Sequence, residues 1–212
     1  MNVKMMTVNP FGENVYIVWD EATLEAVVID PGMMRHEERD MVSRFIAGNN
    51  LRLTHVLLTH LHVDHICSAR WLAEQSGCEV WGSTLDAPLG LALQQQAAMF
   101  GLGIDVEPLR LDHGLADGDT LHIAQTQIRV IHTPGHSRGG LSFYVPDENI
   151  LFSGDTIFQS SVGRTDLDGG DMDTLIKSIT EKILPLPDET VIAPGHGYTT
   201  TVADEKRSNP FL

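Results

Sequence analysis

The segment His60-x-His62-x-Asp64-His65 packs four potential metal ligands into six residues. It follows directly on His55 to Leu58, a compact apolar run with polar flanks that reads as a buried strand. Three further candidates occupy equivalent places. His136 comes after a strand ending at Ile131, Asp155 after one ending at Phe152, and His196 after one ending at Ala193. Gly or Pro accompanies each, in Pro134-Gly135-His136, Gly154-Asp155 and Pro194-Gly195-His196. Such residues let the backbone turn sharply and present a side chain into a cleft. Strand ends converging on one sheet edge would build a metal site from positions far apart in the chain. Singly, these signals are weak, because a lone His is more often a hydrogen-bonded structural residue and a Gly-Asp is more often a turn. Jointly they point to a metal centre.

The strands that would carry this site alternate with helices along the chain. Val15 to Trp19 and Ala26 to Ile29 predict a hairpin around Asp20-Glu21-Ala22-Thr23, closed by a turn at Asp30-Pro31-Gly32. Arg35 to Gly48 has helical spacing, with Gly48 as the expected C-cap. A helix is expected from His65 to Ser76, stopped by Gly77, then a strand at Glu79 to Trp81 and a helix from Ser83 to Met99. The second half begins again with strands, at Leu121 to Ile123 and Ile128 to Ile131. A second hairpin joins Leu141 to Val145 and Ile150 to Phe152 around Pro146-Asp147-Glu148-Asn149. Asp171 to Leu184 reads as a helix with Asp171 as N-cap, and Thr190 to Ala193 as a last strand. No low-complexity linker divides the halves, so residues 1–212 are expected to form one domain of two packed sheets with outer helices.

Composition narrows the partners. The formal net charge of −15 repels phosphate backbones and anionic headgroups, which disfavours nucleic acid and membrane surfaces. No stretch of about 18 apolar residues is present, and Met1 to Val8 lacks the apolar region of a signal peptide. Cys67 and Cys78 form no C-x-x-C pair, which fits a reducing, cytoplasmic setting.

The cluster, followed by His136, Asp155 and His196, resembles the metallo-β-lactamase superfamily. More narrowly, the chain is similar to small single-domain glyoxalase II-like (hydroxyacylglutathione hydrolase-like) hydrolases. That likeness rests on Asp30-Pro31-Gly32, Gly154-Asp155-Thr156, Gly163-Arg164-Thr165-Asp166 and Asn209-Pro210-Phe211-Leu212. It covers nearly the whole chain, and the metal motif is far more specific for the superfamily than for a substrate. The resemblance implies an α/β (α+β) fold, a four-layer αββα sandwich. It implies that His60, His62 and His136 bind one metal, that Asp64, His65 and His196 bind a second, and that Asp155 bridges them. Imidazole and carboxylate donors suit two divalent ions, zinc first, with iron or manganese also compatible. Two metals about 3.5–4 Å apart can share a hydroxide that attacks a carbonyl at neutral pH. The implied substrate is a small-molecule hydroxyacyl thioester, a glutathione conjugate being one candidate. Asp64 then doubles as ligand and catalytic residue by orienting the hydroxide or relaying its proton. Other readings of the same residues are a persulfide dioxygenase with one iron on His60, His136 and Asp155, a lactonase, or a non-catalytic metal-binding protein.

Other residues are read as structural. His55 and His132 lie beside the site on strands and are expected to be hydrogen-bonded structural groups, and Cys67 a buried apolar one. Arg164 and Asp166 are expected to pair and brace the loop after Asp155. The Ser83 to Met99 helix is expected to pack into the core rather than form a lid. Asp166, Asp168, Asp171 and Asp173 read as a solvated face with a helix cap, since their spacing is not that of a calcium loop.

Overall fold

The segment Glu13–Trp19 is buried along almost its entire length, a pattern that requires cover on both faces of a sheet. In the computed structural model, which describes residues 1–212, a second sheet covers one face and helices cover the other. The first sheet contains β1 (Asn2–Val8), β2 (Glu13–Trp19), β3 (Glu25–Ile29), β4 (Arg52–Leu57), β5 (Glu79–Gly82) and β6 (His113–Gly114), in that spatial order. Its first three strands are antiparallel and the rest run parallel to β3. The second sheet is built from β7 (Thr120–Ile123), β8 (Thr126–His132), β9 (Leu141–Val145) and β10 (Ile150–Gly154). After a small hairpin of β11 (Ile157–Phe158) and β12 (Ser161–Val162), β13 (Val191–Pro194) and β14 (Thr200–Thr201) complete it, in the order β14-β13-β10-β9-β8-β7.

Alternation along each strand divides the apolar side chains between three cores. Tyr16, Val18, Val27, Ile29 and Leu57 of the first sheet meet Ile128, Val130, Phe143, Phe152 and Ala193 of the second. The intervening residues Val15, Ile17, Ala26, Val28 and Val56 face outward. They pack on helices α1 (His36–Gly48), α2 (Val63–Ile66) and α3 (Ala69–Ser76) through Val42, Ile66, Leu72 and Ala73. Past β5 come α4 (Ala87–Leu91) and α5 (Leu93–Met99), the latter adding Leu93 and Ala97 to that core. On the far side, Tyr144, Leu151 and Ile192 pack against Leu175 of α6 (Met172–Ser178) and Val202 of α7 (Val202–Ser208). The result is the expected αββα sandwich.

Both expected hairpins form, with Tyr16 opposite Ile29 and Leu151 opposite Tyr144. The helices differ more from expectation. The first stops at Asn49, whose side chain donates to the Phe45 carbonyl at 2.8 Å, and Gly48 is the last helical residue rather than the cap. The His65 to Ser76 helix is broken at Cys67 and Ser68, because the Ser68 N–H donates to the Pro31 carbonyl across the fold. Gly77 caps it in the left-handed conformation, as expected. The Ser83 to Met99 helix is divided into a short turn at Thr84–Asp86, then α4 and α5, which meet at Ala92. Asp171 caps α6 by accepting from the Thr174 N–H at 2.7 Å, but the helix widens into a π turn over Ile179–Ile183. No helix is long and apolar enough to cross a membrane.

Candidate metal centre

Three strands of the second sheet deliver residues to one edge. β8 and β10 are both antiparallel to β9, and β13 is parallel to β10, so all three end on the same side. His136, Asp155 and His196 follow those ends. The first sheet contributes the segment after β4, where His60 and His62 precede α2 and Asp64 and His65 lie within it. Packing there leaves no spare room: a Cβ on Gly195 would collide with the Asp155 carboxylate and the His65 ring.

The seven residues singled out in the sequence form two facing sets. In one, His62 Nδ1 lies 2.9 Å from His136 Nε2, which lies 3.2 Å from His60 Nε2. In the other, His65 Nε2 lies 3.2 Å from His196 Nε2, and Asp64 Oδ2 is 3.3 Å from His196 Nε2 and 3.7 Å from His65 Nε2. Asp155 stands between them, with Oδ1 3.4 Å from His65 Nε2 and Oδ2 3.6 Å from both His136 and His196 Nε2.

The outward ring nitrogens explain why the inward ones converge. His65 Nδ1 donates to Asp30 Oδ2 at 3.1 Å, His136 Nδ1 to the Arg164 carbonyl at 2.7 Å, and His196 Nδ1 to the Phe11 carbonyl at 3.1 Å. Thr59 Oγ1 donates to Asp30 Oδ2 at 2.6 Å and therefore accepts from His60 Nδ1 at 3.0 Å. A neutral imidazole has one N–H, so in these four rings the Nε2 lone pair points inward with no proton to share. Lone pairs 3.2 Å apart repel unless a cation lies among them. Nitrogens arranged tetrahedrally about an ion at about 2.0–2.1 Å would be about 3.3 Å apart, close to these separations. The buried Asp155 Oδ1 has no hydrogen-bond partner, a further sign that the donor set fits a metal.

The two sets differ electrostatically. Burial, reinforced by His65 and His136, holds His60 well below the usual imidazole range, and burial with His136 depresses His62 to about 3. These are neutral donors. Burial also disfavours a charge on His65, yet the Asp155 and Asp64 carboxylates outweigh it and raise its pKa well above the usual value. Burial works against the Asp155 carboxylate too, but His65, His136 and His196 hold it well below the ordinary range. The carboxylate-rich half thus demands positive charge, which a divalent ion satisfies.

Some contributors were not recognised in the sequence as parts of the site. Asp30 reads in the sequence as a turn residue, but it is buried and accepts from the Thr59 N–H, the Thr59 hydroxyl and His65. Asn9 donates to the carbonyls of Gly32 and Asp64. Glu13 is fully buried with both carboxyl oxygens unpartnered, and burial raises its pKa well above the usual range. The turn chemistry at Asp30 gave no warning, since each role depends on residues distant in the chain.

The remaining candidates lie outside the cluster. His55 packs against Trp81 with ring centroids 4.2 Å apart and planes tilted by 60°, and His132 bonds the Arg138 carbonyl at 3.0 Å. Burial pushes the Cys67 thiol up to about 12. Arg164 grips Asp166 through two bonds of 2.7 Å. Of the acidic cluster, Asp168 pairs with Arg138 and Asp171 caps α6.

A cleft of about 350 Å3 opens over Asp64, Asp155 and His196, walled by Phe11, Phe100 and Phe158. It lies in the size range of small-molecule sites. A separate groove of about 460 Å3 beside Thr199, Thr200 and Asp204 contains none of the candidate ligands.

Comparison with known proteins agrees with this geometry. The metallo-beta-lactamase superfamily model matches residues 8–196. The hydroxyacylglutathione hydrolase GloC of Haemophilus influenzae is 38% identical, over 100% of this chain and 98% of the relative. The crystal structure of the BLEG-1 B3 metallo-beta-lactamase superposes with a TM-score of 0.90 at 36% identity, covering 100% of this chain and 99% of the other. That of TTHA1623 in a di-iron-bound form superposes with a TM-score of 0.86 at 38% identity, covering 99% and 100%. The chain belongs to the metallo-beta-lactamase superfamily.

Proposed function

We propose that this protein is a dinuclear metallohydrolase that cleaves a hydroxyacyl thioester to a hydroxy acid and a thiol. The observation that carries this reading is the pair of facing donor sets with Asp155 between them. His60, His62 and His136 would hold one ion, Asp64, His65 and His196 the other, with Asp155 bridging. A single iron on His60, His136 and Asp155 would leave the convergence of Asp64, His65 and His196 without a purpose, which favours two ions over the persulfide dioxygenase reading. Zinc suits the all-imidazole and carboxylate donors, and iron suits them also, as in the di-iron form of the similar TTHA1623. The name of the GloC relative supports the thioester as substrate class. The two unpaired cysteines support a cytoplasmic setting.

Divalent ions in these positions supply Lewis acidity, which acidifies water and polarises a carbonyl. The protein's own residues do the rest. Asp64 lines the cleft and sits beside His196, where it takes the proton from the attacking water. The hydroxyl adds to the acyl carbon, the C–S bond breaks, and the proton passes to the departing sulfur. Asp30 and the Phe11 carbonyl keep His65 and His196 in the tautomer whose Nε2 faces inward. The test is hydrolysis of S-lactoylglutathione alongside oxygen uptake with a persulfide. Thioester cleavage without oxygen uptake supports the proposal, and the reverse pattern moves the assignment to the dioxygenase.

A further inference from the structure

The walls of the cleft are aromatic. Phe11 and Phe100 meet edge to face with centroids 5.5 Å apart, and the Phe158 ring lies 6.1 Å from that of His196. Phe11 is 38% exposed, so apolar ring surface is offered to whatever enters. Its backbone carbonyl is the acceptor for His196, and Asn9, which accepts from the Phe11 N–H, ties the same loop to the Asp64 carbonyl. Phe100 is held as firmly from the other side. Its N–H donates to the Gln96 carbonyl at 3.1 Å. The Gln96 side chain accepts from the Val63 N–H and donates to the Leu61 carbonyl, both within the ligand-bearing segment. The aromatic wall is therefore tied by hydrogen bonds to the segments that carry the donor residues.

The same wall is poor in free positive charge. Arg164 is its cation, and its guanidinium is already matched by Asp166. The basic residues after His196 are committed elsewhere, Lys206 to Asp188 and Arg207 to Asp204. A tripeptide thiol with two carboxylates finds little to pair with here, whereas an uncharged arm with an apolar or aromatic body matches the surface.

We infer that this site selects thioesters whose thiol arm is neutral and apolar or aromatic, with Phe11 and Phe100 as the specificity-determining pair. This rests on the thioesterase reading proposed above. Hydrolysis of three lactoyl thioesters tests it, with glutathione, N-acetylcysteamine and phenylmethanethiol as the thiol. The phenylmethanethiol ester should have a KM about tenfold below that of the glutathione ester. Phe100→Ala should reduce that ratio toward one by raising the KM of the aromatic ester, while Phe100→Tyr preserves it. Equal or better kcat/KM with the glutathione ester, or a ratio unchanged in Phe100→Ala, would overturn the inference while leaving the thioesterase reading intact. Calorimetric binding of S-benzyl-N-acetylcysteamine against S-methylglutathione separates the two claims. Preference for the benzyl thioether in a protein that cleaves none of the esters would sustain the pocket's selectivity and defeat the thioesterase reading. Preference for the glutathione thioether would overturn the selectivity.

Discussion

His65 and His196 face each other with their Nε2 atoms 3.2 Å apart, and each turns Nδ1 to an oxygen, of Asp30 in one case and of the Phe11 backbone in the other. With Nδ1 donating outward, the neutral form of each ring turns its Nε2 lone pair toward the other, an arrangement suited to a shared ion. The tautomer of each ring is set from outside the cluster, and residues that touch no metal should therefore control its binding.

Asp30 is the clearest such residue. Asp30→Ala removes the acceptor used by His65 and by Thr59, and so releases His60 as well. Loss of such supporting contacts typically weakens metal binding by about 10–100-fold. Competition with a chromogenic chelator should show that drop, with a smaller one for Asp30→Asn, which keeps one acceptor oxygen. Undiminished affinity in Asp30→Ala would contradict the role assigned to it.

Gln96 couples α5 to the ligand segment. Its side chain satisfies the Val63 N–H and the carbonyls of Leu61 and Leu89. Gln96→Ala strands those buried groups, at a cost of about 1–3 kcal/mol. Thermal unfolding should register it as a lowered Tm, with metal affinity falling as the segment loosens. An unchanged Tm would show that the three bonds are dispensable.

Glu13 provides a pH-dependent test of the buried frame. Its folded-state pKa is raised well above the ordinary 4.5 by burial, and then by nearby Asp30, Asp64 and Asp155, although His65 opposes them. The folded state therefore holds a proton that the unfolded chain releases above its own pKa. The stabilisation from this group is complete below pH about 4.5 and is lost as pH rises toward the folded-state pKa. Melts of chelator-treated protein across that window should show Glu13→Gln gaining on the parent as pH rises. A difference that stays constant with pH would show that Glu13 does not carry this linkage.

The strands were legible in the sequence because both faces of each sheet are covered, which leaves apolar runs such as Val15 to Trp19 and, interrupted only by Ser142, Leu141 to Val145. The convergence of His60, His62, Asp64, His65, His136, Asp155 and His196 was legible from motif and resemblance, since all follow strand ends, Asp64 and His65 a little further on within α2. The helix interruptions were not. Nothing local marks the break at Cys67 and Ser68, which comes from a hydrogen bond to Pro31. Strand β1 also escaped, because its mostly exposed residues lack a clear alternation. Glu13 reads as an ordinary charged residue at the start of an apolar run, and its burial depends on packing beside Gly32 and Asp64. The meeting of Phe11 with Phe100 is likewise a property of the closed fold.

The central claim is that two ions lie between these side chains and serve thioester hydrolysis. It is tested most directly by metal content of protein purified without chelator, paired with S-lactoylglutathione hydrolysis by the parent and by Asp64→Ala. The account predicts about two divalent ions per chain in the parent, loss of one of them in the variant, and loss of hydrolysis with it. One iron per chain without thioester cleavage, or no metal at all, would contradict it.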